Sequence, residues 1–121
     1  PCWAIYMLGL VVKWIDEQGG LEVMKEKNEK KAKLLYDYLD QSDFYKPHAK
    51  KDARSNMNVT FTTPSKELDA EFVKESIAAG MTNLKGHRSV SGIRASIYNA
   101  MPYEGVEYLV NFMKEFEEKH K

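Results

Sequence analysis

Apolar residues crowd the start of the chain, then settle into periodic patterns. The first twelve, PCWAIYMLGLVV, are nearly all apolar. The run is too short to span a bilayer, which takes about 20 apolar residues. It also lacks the basic flank and small-residue cleavage site of a signal peptide. A helix this apolar on all sides expects protein around it. The pattern therefore predicts a buried helix over residues 3–18, stopped by Gly19-Gly20. From Leu21 to Asp40, apolar positions at Leu21, Met24, Leu35, Tyr38 and Leu39 enclose KEKNEKKAK. That spacing predicts an amphipathic helix whose charged run is a solvated face.

Beyond it, SDFYKPHAKKDARSN reads as loop, with a short edge strand expected at Phe44-Tyr45. MNVTFTT alternates, sending Met57, Val59 and Phe61 to one side and Asn58, Thr60 and Thr62 to the other, as a half-buried strand does. PSKELDAEFVKESIAAG predicts a helix with Leu68, Phe72, Val73, Ser76 and Ala79 inward, closed by Gly80. MTNLKG is expected to form a short strand, and GIRASIY alternates again. Pro102 opens a last helix with Val106, Leu109, Met113 and Phe116 inward. Two helices followed by β-α-β-β-α predict a single α+β domain over residues 1–121, its small, mainly antiparallel sheet covered by helices.

Composition changes this picture little. With 121 residues, 43% hydrophobic and 30% charged, the chain has the make-up of one globular domain. Its 18 basic and 18 acidic residues balance, so no bulk field argues for nucleic acid or an anionic membrane. The single cysteine, Cys2, fits a reducing, cytoplasmic setting. No His/Cys/acid spacing marks a metal site. The sequence begins without methionine, and with its apolar opening the chain is expected to be a piece of a longer polypeptide.

The charge is segregated, however. Between Ser76 and Tyr103 no acid occurs, while Lys85, His87, Arg88 and Arg94 do; the other residues hold 15 basic against 18 acidic groups. A basic, acid-free loop with glycines and serines suits an anion. Gly86 and Gly92 allow close backbone approach, and Ser89 and Ser91 can donate hydrogen bonds. If Ile93, Ala95 and Ile97 face the core, Arg94 points from the opposite face of the strand. There a guanidinium can hold a carboxylate in a two-bond fork, with His87 and Arg88 in reach of a second anion. A solvated basic loop is the plainer reading of the same residues. Arg54 has two readings, salt-bridge partner or domain-junction residue.

LKGHRSVSGIRASIYNAMP closely resembles the C-terminal signature of the phosphoserine aminotransferase family, within the class V, fold-type-I pyridoxal-phosphate enzymes. PCWAIYMLGLVVKWI, RSNMNVTF and NFMKEFEEKH resemble further segments of its small domain, so the likeness runs along essentially the whole chain. The resemblance implies that Arg94 binds the α-carboxylate of the substrate and that His87 and Arg88 hold a phosphate or the distal carboxylate of glutamate. It implies a homodimeric parent using pyridoxal 5′-phosphate, with residues 1–18 as the connecting helix from a large domain absent here. The Schiff-base lysine would lie in that domain, so no catalytic residue and no bound cofactor are expected in these 121 residues. Lys85 is not promoted to that role. Ser91 stands where several relatives have Gly. The alternative is a stand-alone α+β module binding an anionic metabolite or amino acid.

Overall fold

The computed structural model describes all residues, Pro1–Lys121. Four helices, α1 (Cys2–Glu17), α2 (Gly20–Gln41), α3 (Lys66–Ala78) and α4 (Tyr103–His120), accompany strands β1 (Lys46–Pro47), β2 (Asn58–Thr62) and β3 (Ile93–Ser96). The strands form one antiparallel sheet in the order β1-β2-β3. The α+β class is as expected.

Local chemistry explains the boundaries. Gly19 adopts φ +107°, and a side chain there would run into Val23, so the backbone breaks between α1 and α2. Ser65 caps α3, its Oγ accepting from the Leu68 N–H at 3.2 Å, with Glu67 and Asp69 in the first turn complementing the helix dipole. Pro102 precedes α4, whose Val106, Leu109, Val110, Met113 and Phe116 form the buried stripe.

Val59 and Phe61 of β2 meet Ala95 and Ile93 of β3 across the ladder, all facing the core. Aromatic rings tie the layers together. Phe72 of α3 lies 5.1 to 6.0 Å from Tyr45, Phe61, Phe112 and Phe116, each edge to face. The Tyr45 hydroxyl donates to the Met113 carbonyl at 2.8 Å, and burial pushes its pKa up.

Four expectations need correcting. The edge strand lies two residues on, at Lys46–Pro47, because Phe44 and Tyr45 turn into the core instead of extending along the sheet. Residues 81–86 form no strand. Asn83 sits at φ +63°, which breaks the extended run, and only a single bridge joins Lys85 to Ile93. Leu21 is 75% exposed, beside an α1 in which none of the sixteen residues is buried. Within the run read as solvated, Asn28, Lys31 and Ala32 are buried. Arg54 resolves as a salt-bridge residue: it forks onto Asp40 at 2.9 and 2.5 Å and lies 4.4 Å over the Tyr36 ring. Its two hydrogen bonds hold the Asp40 carboxyl down at about 2. No helix is long and apolar enough to cross a membrane.

Candidate functional site

β2 and β3 alternate, so the face opposite the core carries Asn58, Thr60 and Thr62 from one strand and Arg94 and Ser96 from the other. Thr60 stands directly across from Arg94. The Arg94 backbone N–H donates to the Leu84 carbonyl at 2.8 Å, which pins the strand on its outer edge. Its side chain has no such anchor. No carboxylate lies within ion-pair distance, and Nε is buried without a partner. A buried guanidinium N–H left unpaired costs free energy unless an acceptor arrives. Arg54, by contrast, has both terminal nitrogens forked onto Asp40, although its Nε is likewise buried without a partner.

The turn before β3 is held tightly. Gly86 N–H donates to the Gly92 carbonyl at 2.8 Å. A Cβ on Gly86 would fall 2.2 Å from the Ser91 carbonyl oxygen, and one on Gly92 would fall 2.6 Å from that of Phe61. Both positions therefore require glycine. At the tip, the N–H groups of Val90 and Ser91 share the His87 carbonyl. The His87 ring turns back on the same loop, where Nδ1 lies 2.6 Å from Ser89 Oγ and accepts from the Ser89 N–H at 3.2 Å. In neutral His87 that leaves the proton on Nε2.

Arg88 lies on the rim of a groove of about 310 Å³ between this turn and the first turn of α3, with Lys66, Lys85 and Ser91. Asp69, the acid in that groove, is committed through Oδ1 to the Thr63 N–H and hydroxyl at 2.8 and 2.9 Å. The three site residues read from sequence thus lie on one continuous segment but in three settings: Arg94 on the sheet face, Arg88 in the groove, His87 exposed on the turn. Within this chain they do not converge on one hollow. A roomier cavity of about 470 Å³ lies between the 80–84 segment, β3 and α4, and no charged residue lines it.

Sequence reasoning missed Lys31. Its ammonium, on the buried stripe of α2, donates to the carbonyls of Tyr98 at 2.7 Å, Met101 at 2.9 Å and Ile97 at 3.4 Å. Burial lowers its pKa. The available signal was the helical spacing of Met24, Asn28, Lys31, Leu35 and Leu39, which places the lysine on an inward face. Glu71, Glu75 and His120 were also not grouped; α3 and α4 bring their ligand atoms within 4.8 Å of one another. Lys119 already pairs with Glu75 there at 2.6 Å.

A family model described as Aminotransferase class-V matches residues 1–109. The chain is 58% identical over 122 residues to the phosphoserine aminotransferase of Lactococcus lactis subsp. lactis, spanning 100% of this chain and 33% of that protein. It is 59% identical over 121 residues to the enzyme of that name from Desulfatibacillum aliphaticivorans, spanning 99% and 34%. Among solved structures, phosphoserine aminotransferase from Bacillus circulans subsp. alkalophilus superposes with a TM-score of 0.95 at 53% identity over all of this chain and 34% of that one. The PLP-bound phosphoserine aminotransferase of Trichomonas vaginalis does so with a TM-score of 0.87 at 41% identity, over 94% and 33%. The chain therefore spans about a third of the length of the relatives it matches.

Proposed function

The chain belongs to the class-V aminotransferases, and from that footing we propose that it is the substrate-clamping small domain of a phosphoserine aminotransferase. With residues beyond these 121, it moves the amino group of glutamate to 3-phosphohydroxypyruvate, giving phosphoserine and 2-oxoglutarate. Each of these acids carries an α-carboxylate and a distal anion. Arg94 takes the α-carboxylate, and His87 with Arg88 take the phosphate or the distal carboxylate. The observation that carries the reading is the Arg94 Nε, buried and without an acceptor on the polar face of the sheet. A carboxylate forked onto the guanidinium supplies what the fold leaves unmet.

Pyridoxal phosphate, when bound, supplies the electron sink for transamination. The residues of this chain do not by themselves fit a site for it. Lys31 spends its ammonium on three carbonyls, and Lys85 is exposed beside the basic turn. In this proposal the imine-forming lysine lies in the two thirds of its relatives' length that this chain does not span. Helix α1, in which only Trp14 and Ile15 are even half-buried, supports the same reading, as a helix covered by residues from that part. The full-length enzyme acts as a cytoplasmic homodimer in this proposal.

The test compares two substrates in the full-length enzyme. Arg88→Ala should lower kcat/KM more for the phosphorylated acid than for glutamate, because a phosphate dianion has more charge to neutralise. Arg94→Lys keeps the charge but loses the planar fork, and should lower kcat/KM for both acids by about 2–3 kcal/mol, roughly 30- to 200-fold. Unchanged kinetics in both variants would leave only a solvated basic loop.

A further inference from the structure

We infer that Lys31 is a positioning residue for the substrate carboxylate: by tying the carbonyls that follow β3 to helix α2, it fixes the strand that carries Arg94. The inference rests on the function proposed above, since it needs Arg94 to be the carboxylate's partner.

Lys31 is 2% exposed and is the one charged side chain among the 23 buried residues. An apolar residue at that point of the α2 stripe would avoid the cost of desolvating an ammonium, which runs to several kcal/mol. What the ammonium holds has to offset that cost. β3 ends at Ser96, and after Ile97 the backbone leaves the ladder to make the turn into α4. The carbonyls of Ile97, Tyr98 and Met101 all meet Lys31 Nζ, matching its three donors one for one. The Ile97 contact is buried and the other two are part-buried, and the compact ammonium reaches all three carbonyls at once.

Asn28, three residues earlier on the same helix face, adds a second tie. Its Nδ2 donates to Asn99 Oδ1 at 2.8 Å. The turn is thus gripped through its backbone by Lys31 and through a side chain by Asn28. At Arg94 itself the backbone N–H donates to the Leu84 carbonyl, which holds the strand's outer edge. Arg94 is thus anchored at its own amide, and the Lys31 contacts begin three residues further on, at Ile97. A bidentate fork tolerates little misplacement, so loosening either anchor weakens carboxylate binding before it touches the reacting bond. Lost binding common to ground and transition states appears in KM and not in kcat.

The decisive variant is Lys31→Met in the full-length enzyme, which keeps the apolar stem and removes the ammonium. KM for glutamate and for the phosphorylated acid should each rise about tenfold, with kcat within about threefold. Native-state amide exchange at Ile97 and Met101, whose N–H groups donate to the Met57 and Tyr98 carbonyls, should speed about tenfold while the amides of the α4 stripe hold. In Lys31→Ala, propylammonium should restore KM through the hollow of about 340 Å³ that Lys31 lines with Asn99 and Met101, and propanol should not. An active Lys31→Met enzyme with unchanged KM for both acids would overturn the role, whatever happened to its stability. If that variant did not fold, Asn28→Ala decides: a rise of about threefold in both KM values supports the inference, and no rise ends it. An unmutated enzyme that used neither acid would instead remove the proposed function, and this inference with it.

Discussion

One register builds both faces of the sheet, and the two faces answer to different demands. Val59, Phe61, Ile93 and Ala95 look inward and are at most 1% exposed. Asn58, Thr60, Arg94 and Ser96, one residue out of step, are all half-buried and polar. The inner face is saturated with partners, whereas the outer keeps a guanidinium that nothing in the chain engages. Packing accounts for every residue on the first face. The second has an unmet acceptor requirement, which is how a binding surface differs from a core.

Removing inner packing should break this contrast most severely. Phe72→Ala deletes the ring that four aromatics surround, and should cost about 3–5 kcal/mol in urea unfolding. Arg94→Lys should leave the unfolding free energy within about 0.5 kcal/mol while impairing turnover of both acids, since the fold makes no use of the guanidinium. A large stability loss in Arg94→Lys would mean that the outer face is structural after all.

The two arginines sharpen the same comparison through pH. Arg54 is spent inside the fold on Asp40, whose pKa is lowered from the usual 3.8 to about 2. A depressed carboxylate stabilises the fold above about pH 4 and loses that contribution as the pH falls towards 2. Asp40 keeps over a quarter of its side chain exposed, so solvent trims its contribution to about 1 kcal/mol. Asp40→Asn should be less stable than the unaltered chain by that amount at neutral pH and should close the gap between pH 4 and 2. Parallel acid-unfolding curves for the two proteins would contradict the pairing.

How much could be read beforehand followed from how local each signal was. The alternation of GIRASIY placed Arg94 opposite Ile93 and Ala95 correctly because strand periodicity needs no knowledge of the partner. α4 was legible for the same reason, its stripe running unbroken from Val106 to Phe116. Lys31 was not, because a lysine among KEKNEKKAK reads as solvent-facing until the turn at 97–101 folds back over it. Residues 81–86 misled because their extended look depends on Asn83, which takes a left-handed conformation in the turn. The segregated charge put His87 and Arg88 in reach of a second anion, but that this anion is a phosphate or a distal carboxylate came only from resemblance to a family.

The smallest effect concerns the turn that joins the two faces. Ser91 and Gly92 are consecutive left-handed residues, at φ +63° and +69°. Gly92 has no room for a Cβ against the Phe61 carbonyl, but Ser91 is exposed and carries its side chain. Its cost is therefore conformational, about 1 kcal/mol for a non-glycine residue in this region. Ser91→Gly removes that strain but returns part of the gain, because glycine makes the unfolded chain more disordered. The net expectation is a stabilisation of about 0.5 kcal/mol, read as a small rise in urea midpoint. KM for the phosphorylated acid should stay within about twofold, because the carbonyl of His87 and the ring contact with Ser89 continue to organise the turn. A loss of stability would show that the Ser91 side chain contributes to the turn. A sharp rise in that KM alone would place Ser91 beside Arg88 as a donor to the phosphate.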